Sequence, residues 1–209
     1  MSDSLTVVGL GGSLTCNSRS LAALQVALDG ASEAGARTTL LSLRELDLPM
    51  YDPDGEREPP PAAVTLIEAC YDADGMLWSS PMYQGTISGA FKNALDWLHA
   101  LGSRKPPFLH DEIIGLISAA GGTQGPQAIN TMEFAVRALR GWAVPYVVPV
   151  ASAFQVFNSA GRITNEGVEQ QLRTLGTEVV RVAARFTHEI TAQRARACEE
   201  SAARMAAAA

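Results

Sequence analysis

The sequence predicts an α/β domain, a doubly wound parallel sheet of five strands with helices on both faces. Two observations predict it. Apolar runs alternate with stretches of helical spacing along most of the 209 residues. The runs are apolar nearly throughout rather than alternately polar, as strands buried on both faces must be. A third observation says where a ligand belongs. Three of the runs end abruptly in loops of unusual chemistry, and in such sheets ligands sit at the carboxyl ends of the strands.

The elements follow in order. The first apolar run, from Leu5 to Leu10, stops at Gly11-Gly12 and is followed by a polar loop over residues 13–20. Residues 21–28 have helical spacing and good helix formers. Residues 36–43 read as the second strand, and residues 48–61, with five prolines and several acids, as a loop too rigid and polar for an element. A short amphipathic helix over 62–71 leads to a third strand over 74–80, stopped by Pro81. Residues 86–101 predict a helix opened by Ser88 and Gly89, with Ile87, Ala90, Phe91, Ala94, Leu95 and Leu98 on its apolar face.

After a loop carrying Pro106-Pro107, residues 112–120 form the fourth strand, which ends in Gly121-Gly122-Thr123-Gln124-Gly125. Pro126 starts a helix to residue 140, as proline at a first helical position does. Residues 143–150 are the fifth strand, an irregular loop follows, and Asn165 caps a last helix through residue 189 or beyond. Residues 1–190 form one domain with no linker or repeat. Residues 191–209 form an alanine-rich tail that extends the helix, packs on a neighbouring subunit or frays, with fraying expected over its last residues.

Bulk properties narrow the function. A 47% hydrophobic chain of this length suits one compact core. A formal net charge of -6 argues against nucleic acid, which needs a basic face. Cys16, Cys70 and Cys198 are too few and scattered for a disulfide framework or a zinc site, and His99, His110 and His188 do not cluster with them. No run reaches membrane-spanning length and no basic-then-apolar signal pattern opens the chain. A cytoplasmic protein without membrane, nucleic-acid or metal partners is expected.

The first loop points to a phosphate. Ser13, Thr15, Ser18 and Ser20 offer hydroxyls and Arg19 a charged fork, while the strand–loop–helix order aims backbone N–H groups and the positive end of a helix dipole at one spot. An ordinary turn capped by Ser18 or Ser20 needs one hydroxyl, and this loop supplies four. Other motifs fail on the letters. The dinucleotide fingerprint started at Gly9 and Gly11 meets Leu14 where its last glycine belongs. A Walker loop lacks its lysine, and a nucleophile elbow on Ser13 meets Thr15 in place of glycine.

The second loop, Pro81-Met82-Tyr83-Gln84-Gly85, offers a rigid turn, a thioether, an aromatic ring and an amide, which suits a flat ring. Gly121 and Gly122 let backbone approach a ligand closely, and Gln124 adds an amide. Each of these has an ordinary reading as well, Met82 and Tyr83 as core or rim and the glycines as a plain turn. A phosphate seat beside a ring seat means a mononucleotide, and FMN fits better than a dinucleotide. No catalytic acid, base or nucleophile is evident, and hydride chemistry carried by a cofactor needs none. Lys92, Asn93 and Asp96 read as helix surface or subunit interface, with Lys92 and Asp96 as an i,i+4 pair. Cys16 reads as a small buried or rim residue rather than a redox sensor.

The segments Gly12–Ser20 and Ser80–Trp97, taken together, resemble the NADPH-dependent FMN reductase family of flavodoxin-like proteins over roughly residues 5–185. The resemblance implies a five-stranded sheet in the order 2-1-3-4-5, FMN, and NADPH or NADH as co-substrate. It also implies a homodimer or homotetramer. By position, Ser13, Ser18, Arg19 and Ser20 would hold the FMN phosphate, with Thr15 counted beside them as a cofactor-binding residue. Pro81, Met82, Tyr83 and Gln84 would flank the ribityl chain and ring, with Gly85 giving room. Gly121, Gly122 and Gln124 would border the ring from the third loop. Thr15 stands where many members carry arginine, so the phosphate rests more on amides and hydroxyls than on charge.

The implied activity is hydride transfer from nicotinamide to flavin N5. The reduced flavin then passes electrons onward or serves a partner monooxygenase. The Ser18-Arg19-Ser20 ending resembles flavin-supplying members of sulfonate-utilisation systems. Quinones, azo dyes and metal oxyanions are alternative acceptors. A one-electron carrier of the flavodoxin type, and a dinucleotide dehydrogenase using Glu45, are the competing classes. A second subunit, reached through Phe91, Trp97 and the Trp142 region, would wall the ring from water.

Overall fold

The structure is a computed structural model; it describes residues 4–54 and 58–207, and side chains as far as residue 186. Gly55, part of the proline-rich loop, lies outside the described residues. Strands β1 (Thr6–Gly11), β2 (Arg37–Ser42), β3 (Gly75–Pro81), β4 (Ile113–Ala119) and β5 (Trp142–Val150) form one sheet. All pairs are parallel, in the order β2-β1-β3-β4-β5. This is the flavodoxin-like doubly wound sheet that the sequence predicts.

Among the described residues, seven α-helices accompany the strands: α1 (Arg19–Glu33), α2 (Leu43–Leu46), α3 (Pro61–Tyr71), α4 (Gly89–Trp97), α5 (Gly125–Ala138), α6 (Ala153–Val156) and α7 (Glu166–Ala207). Every residue of β3 and β4 is buried. Their side chains alternate between two cores, Met76 and Trp78 among α3, α4 and α5, and Leu77 among α1 and α7. That two-sided burial is why the strands read as unbroken apolar runs. β5 is an edge, which is where Pro145 and Pro149 fit without costing a ladder hydrogen bond.

Caps set several boundaries. Ser18 closes the start of α1 by accepting from the N–H of Leu21 at 3.1 Å, and Asn165 does the same for Val168 at 3.0 Å before α7. The last helix continues through residue 207, and residues 208–209, at the end where fraying is expected, lie outside the described residues. The helices α2 and α6 were not visible as periodic patterns, because four residues are too few to show a 3.6-residue period.

The expected helix over 86–101 divides. α4 ends at Trp97 and the chain tightens into a 3-10 turn over Leu98–Ser103. Leu98 and Leu101 are both buried, and 3-10 spacing eclipses residues three apart, so both reach the core. Two surface expectations on α4 are corrected. Phe91 is fully buried, edge-on to Trp78 with ring centroids 5.7 Å apart, so it offers nothing to a second subunit. Asn93 is 8% exposed: its Oδ1 accepts from the N–H of Tyr51 at 2.8 Å and its Nδ2 donates to the Pro49 carbonyl at 2.9 Å. The Pro49–Tyr51 backbone covers a helix face that periodicity alone left to solvent. Trp97 donates to the same Pro49 carbonyl at 2.9 Å. Lys92 and Asp96 do form the exposed pair, at 2.6 Å.

Helices α1 and α7 approach each other through glycines. A Cβ on Gly176 would lie 1.9 Å from the Ala27 carbonyl oxygen, and one on Gly30 2.4 Å from that of Arg173. The neighbour in each case is backbone and cannot rotate away. Gly176→Ala should therefore force the helices apart and cost roughly 1–3 kcal/mol, read as a lower urea midpoint.

At the amino edge of the sheet, Glu112 Oε2 is buried with no hydrogen-bond partner among the described residues. Burial, with Asp74 and Asp111 adding repulsion, pushes its carboxyl up to about 9. The Cys70 thiol is also pushed up, first by burial and then by Glu112. The fold thus holds a proton on Glu112 that the unfolded chain releases near pH 4.5. Its contribution is fully present below that pH and is lost progressively as pH rises towards 9. Glu112→Gln should therefore raise the melting temperature at pH 8 and change it little at pH 4, flattening the alkaline decline.

Candidate functional site

The three singled-out loops converge. One hollow of about 180 Å³ at the carboxyl edge of the sheet is bordered by Ser13, Thr15, Asn17, Ser18, Arg19 and Ser20 from the β1–α1 loop and the start of α1. Pro81, Met82 and Tyr83 border it from the end of β3, and Ala119, Ala120 and Gly121 from the end of β4. Ala153 and Phe154 of α6 complete the wall. Nine of the sequence-chosen residues meet here: Ser13, Thr15, Ser18, Arg19, Ser20, Pro81, Met82, Tyr83 and Gly121.

Four do not border the hollow. Gln84 and Gly85 are the two central residues of a tight turn, at φ +49° and +84°, closed by mutual backbone hydrogen bonds of Tyr83 and Thr86 at 2.9 and 3.0 Å. Two positive φ values in succession are what a two-residue hairpin turn demands, and glycine supplies the second without strain. Gly122 accepts from the Ser152 N–H at 3.0 Å. Gln124 caps α5, its carbonyl accepting from the Gln127 N–H at 3.1 Å.

The sequence reading missed Asn17, Ala119, Ala120, Ala153 and Phe154. Phe154 left one signal, an aromatic residue shortly after the fifth strand and hence at the same sheet edge as the other three loops. Two backbone bonds bring it in, Ala153 N–H to the Ala120 carbonyl at 2.9 Å and Ser152 N–H to Gly122.

Buried serines hold the loops in place. The Ser79 hydroxyl donates to the Ser20 carbonyl at 2.8 Å, and the Gly12 N–H donates to the Ser79 carbonyl at 2.8 Å. Ser88 donates its hydroxyl to the Gly12 carbonyl and accepts from the Phe91 N–H at 3.0 Å, capping α4. Ser80 accepts from the Ser88 N–H at 3.0 Å and donates to the Pro81 carbonyl at 2.9 Å. Loops one and two are thereby one hydrogen-bonded body.

The electrostatics favour an anion. Arg19 is the single charged residue among those bordering the hollow, and no carboxylate does. The described hydrogen bonds employ the N–H groups of Leu21 and Ala22 and leave those of Arg19 and Ser20, in the first turn of α1, free for a ligand. Ser18 and Ser20 share a hydrogen bond of 3.0 Å beside them. The other rim is apolar and open: Tyr83 and Phe154 are 51% and 55% exposed. A Cβ on Gly121 or Gly122 would meet nothing within 4 Å, so the space before both is clear. Cys16 is exposed on the same loop. A hollow of about 180 Å³ is below the range that encloses a drug-sized ligand, so a larger molecule held there would extend over the open rim.

Comparison with known proteins places the chain in a family. The family model for NADPH-dependent FMN reductase matches residues 5–155. The NADPH-dependent FMN reductase ArsH of Rhizobium meliloti is 30% identical over 131 residues, 59% of this chain and 54% of that protein. The match thus spans about half the length of that relative. An NAD(P)H-dependent FMN reductase of Pseudomonas aeruginosa is 32% identical over 184 residues, 84% of this chain and 95% of that one. Among solved structures, the flavoenzyme NAD(P)H:(acceptor) oxidoreductase FerB of Paracoccus denitrificans superposes with a TM-score of 0.72 at 19% identity, covering 87% of this chain and 98% of its own, a likeness of fold. The chain belongs to the NADPH-dependent FMN reductase family.

Proposed function

We infer that the chain is an NAD(P)H-dependent flavin oxidoreductase that holds FMN at the hollow. The observation that carries this is the convergence of hydroxyls, free helix N–H groups and Arg19 on one hollow that the exposed rings of Tyr83 and Phe154 also border. The residues present fit the group. Ser13, Thr15, Ser18 and Ser20, with the first-turn N–H groups of α1 and Arg19, would hold the phosphate. Pro81, Met82 and Tyr83 would lie along the ribityl chain and ring, facing Gly121 across the hollow. Gln84, Gly85, Gly122 and Gln124 would act through the turns they shape. FMN held there would supply the redox chemistry, with NADPH or NADH as the electron donor.

The chain's own part is to bind, orient and exclude water. Buried serines fix the spacing of the loops before any ligand arrives, so little ordering is left to be done on binding. No side chain bordering the hollow is an acid or base suited to move a proton, consistent with a reaction whose hard step belongs to the cofactor. The open rim also bears on assembly. A ring lying over Tyr83 and Phe154 needs a second wall to keep water from it, and a second copy of the chain is the proposed source, as homodimer or homotetramer. Trp142, although 56% exposed, starts β5 at the opposite end of the sheet and does not wall this chain's own hollow. Reduced flavin, free or handed to a partner monooxygenase, is the proposed product, with quinones, azo compounds and metal oxyanions as alternative acceptors.

Purified chain with FMN should oxidise NADPH or NADH faster than FMN alone, and no acceleration with either nicotinamide would refute the reading. Arg19→Gln should weaken FMN by about tenfold or more while sparing riboflavin, since one charge-assisted hydrogen bond is lost. Equal loss for both flavins would place the phosphate elsewhere. Light scattering should show an oligomer, and a monomer at working concentration would remove the second wall.

A further inference from the structure

Arg19 is the single charged side chain bordering the hollow, and Thr15 brings no charge. The structure holds a second cation behind the same loop. Arg44, on the four-residue helix α2, donates from Nη1 to the Leu14 carbonyl at 2.5 Å, across 30 residues of sequence. It makes no ion pair among the described residues.

The Leu14 carbonyl and the Thr15 N–H belong to one planar peptide and point in opposite directions. With the carbonyl held by the guanidinium, the N–H faces the other way, and it donates to Ser13 Oγ at 3.2 Å. Ser13 is 3% exposed and borders the hollow. Its oxygen already accepts, and its hydroxyl proton has no acceptor among the described hydrogen bonds. A cation bound to one end of an amide strengthens the donor at the other, and bonds in such a chain polarise one another.

We propose that Arg44 is a positioning residue for the anion seat, fixing and polarising the Leu14–Thr15 peptide so that the Ser13 hydroxyl donates into the hollow. The charge thus reaches the seat from behind the loop, without a long side chain occupying the hollow. The proposal rests on the FMN reading only for the identity of the anion; the relay itself is a property of the flavin-free chain.

The test separates the two. Amide hydrogen exchange at Thr15, measured without flavin, should quicken by about five- to tenfold in Arg44→Ala, the loss of one hydrogen bond's protection. An unchanged rate overturns the relay. With flavin, Arg44→Ala should weaken FMN by about five- to tenfold and leave riboflavin unaffected; equal weakening of both marks a general brace and overturns the proposal. Ser13→Ala with Arg44→Ala should bind FMN no worse than Ser13→Ala alone, because the charge acts through that hydroxyl, and additive losses count against it. If the unaltered chain binds FMN and riboflavin equally, the FMN reading fails, while the Thr15 exchange rate still decides the relay.

Discussion

The site depends on a set of buried serine hydroxyls that tie the first strand-end loop to the second. Ser79, Ser80 and Ser88 are fully or almost fully buried; Ser79 and Ser88 reach the first loop, Ser80 braces the second, and each hydroxyl satisfies a backbone group that would otherwise be stranded. A net hydrogen bond contributes only about 1 kcal/mol. Leaving one partner unmade in a dry interior costs more than making it gains, so the network enforces a single geometry. The approach of Gly12 to the β3–α4 loop follows, as a Cβ there would lie 2.7 Å from the Phe91 ring. Phe91 in turn rests on Trp78 in the core. The hollow is therefore built outward from the centre of the sheet.

This construction explains the division of labour within the hollow. The donors bordering the hollow are mostly short and carried on the loop and the start of α1: serine and threonine hydroxyls and helix N–H groups, with one arginine. Groups at the rim are larger, apolar and exposed. Short donors on a rigid edge lose little entropy on binding, whereas an open rim leaves room for a ring and for whatever comes against it. The opposite edge of the sheet is unlike this. There Glu112 is kept protonated by burial beside two other carboxyls, a local conflict that lowers stability in alkali and lies at the far end of the strands from the hollow.

Much of this was legible in the letters. The inner strands β1, β3 and β4 are legible because a strand buried on both faces has no polar alternation, and the first loop of the hollow stands out because one turn holds four hydroxyls and an arginine. Gln84 and Gly85 have side-chain types that suit a place beside a ring, and their positive φ values put them in a tight turn, which residue type alone does not distinguish. Asn93 looked like helix surface because periodicity counts only a helix's own residues and does not know that the Pro49–Tyr51 backbone will cover it. Phe91 was assigned to two places, core and partner surface, and the contact with Trp78 decides for the core.

The sequence by itself determined the class of fold, the strand ends that carry the site and the chemistry of each loop, because these are local matters of hydrophobic period, turn residues and side-chain type. Only the tertiary structure decided which residues share one hollow, that α6 brings Phe154 to it, and that Arg44 reaches the first loop from behind. Those are contacts between segments 30 or more residues apart. They are fixed by how far each strand extends and how neighbouring loops hydrogen-bond, and no spacing along the chain records them.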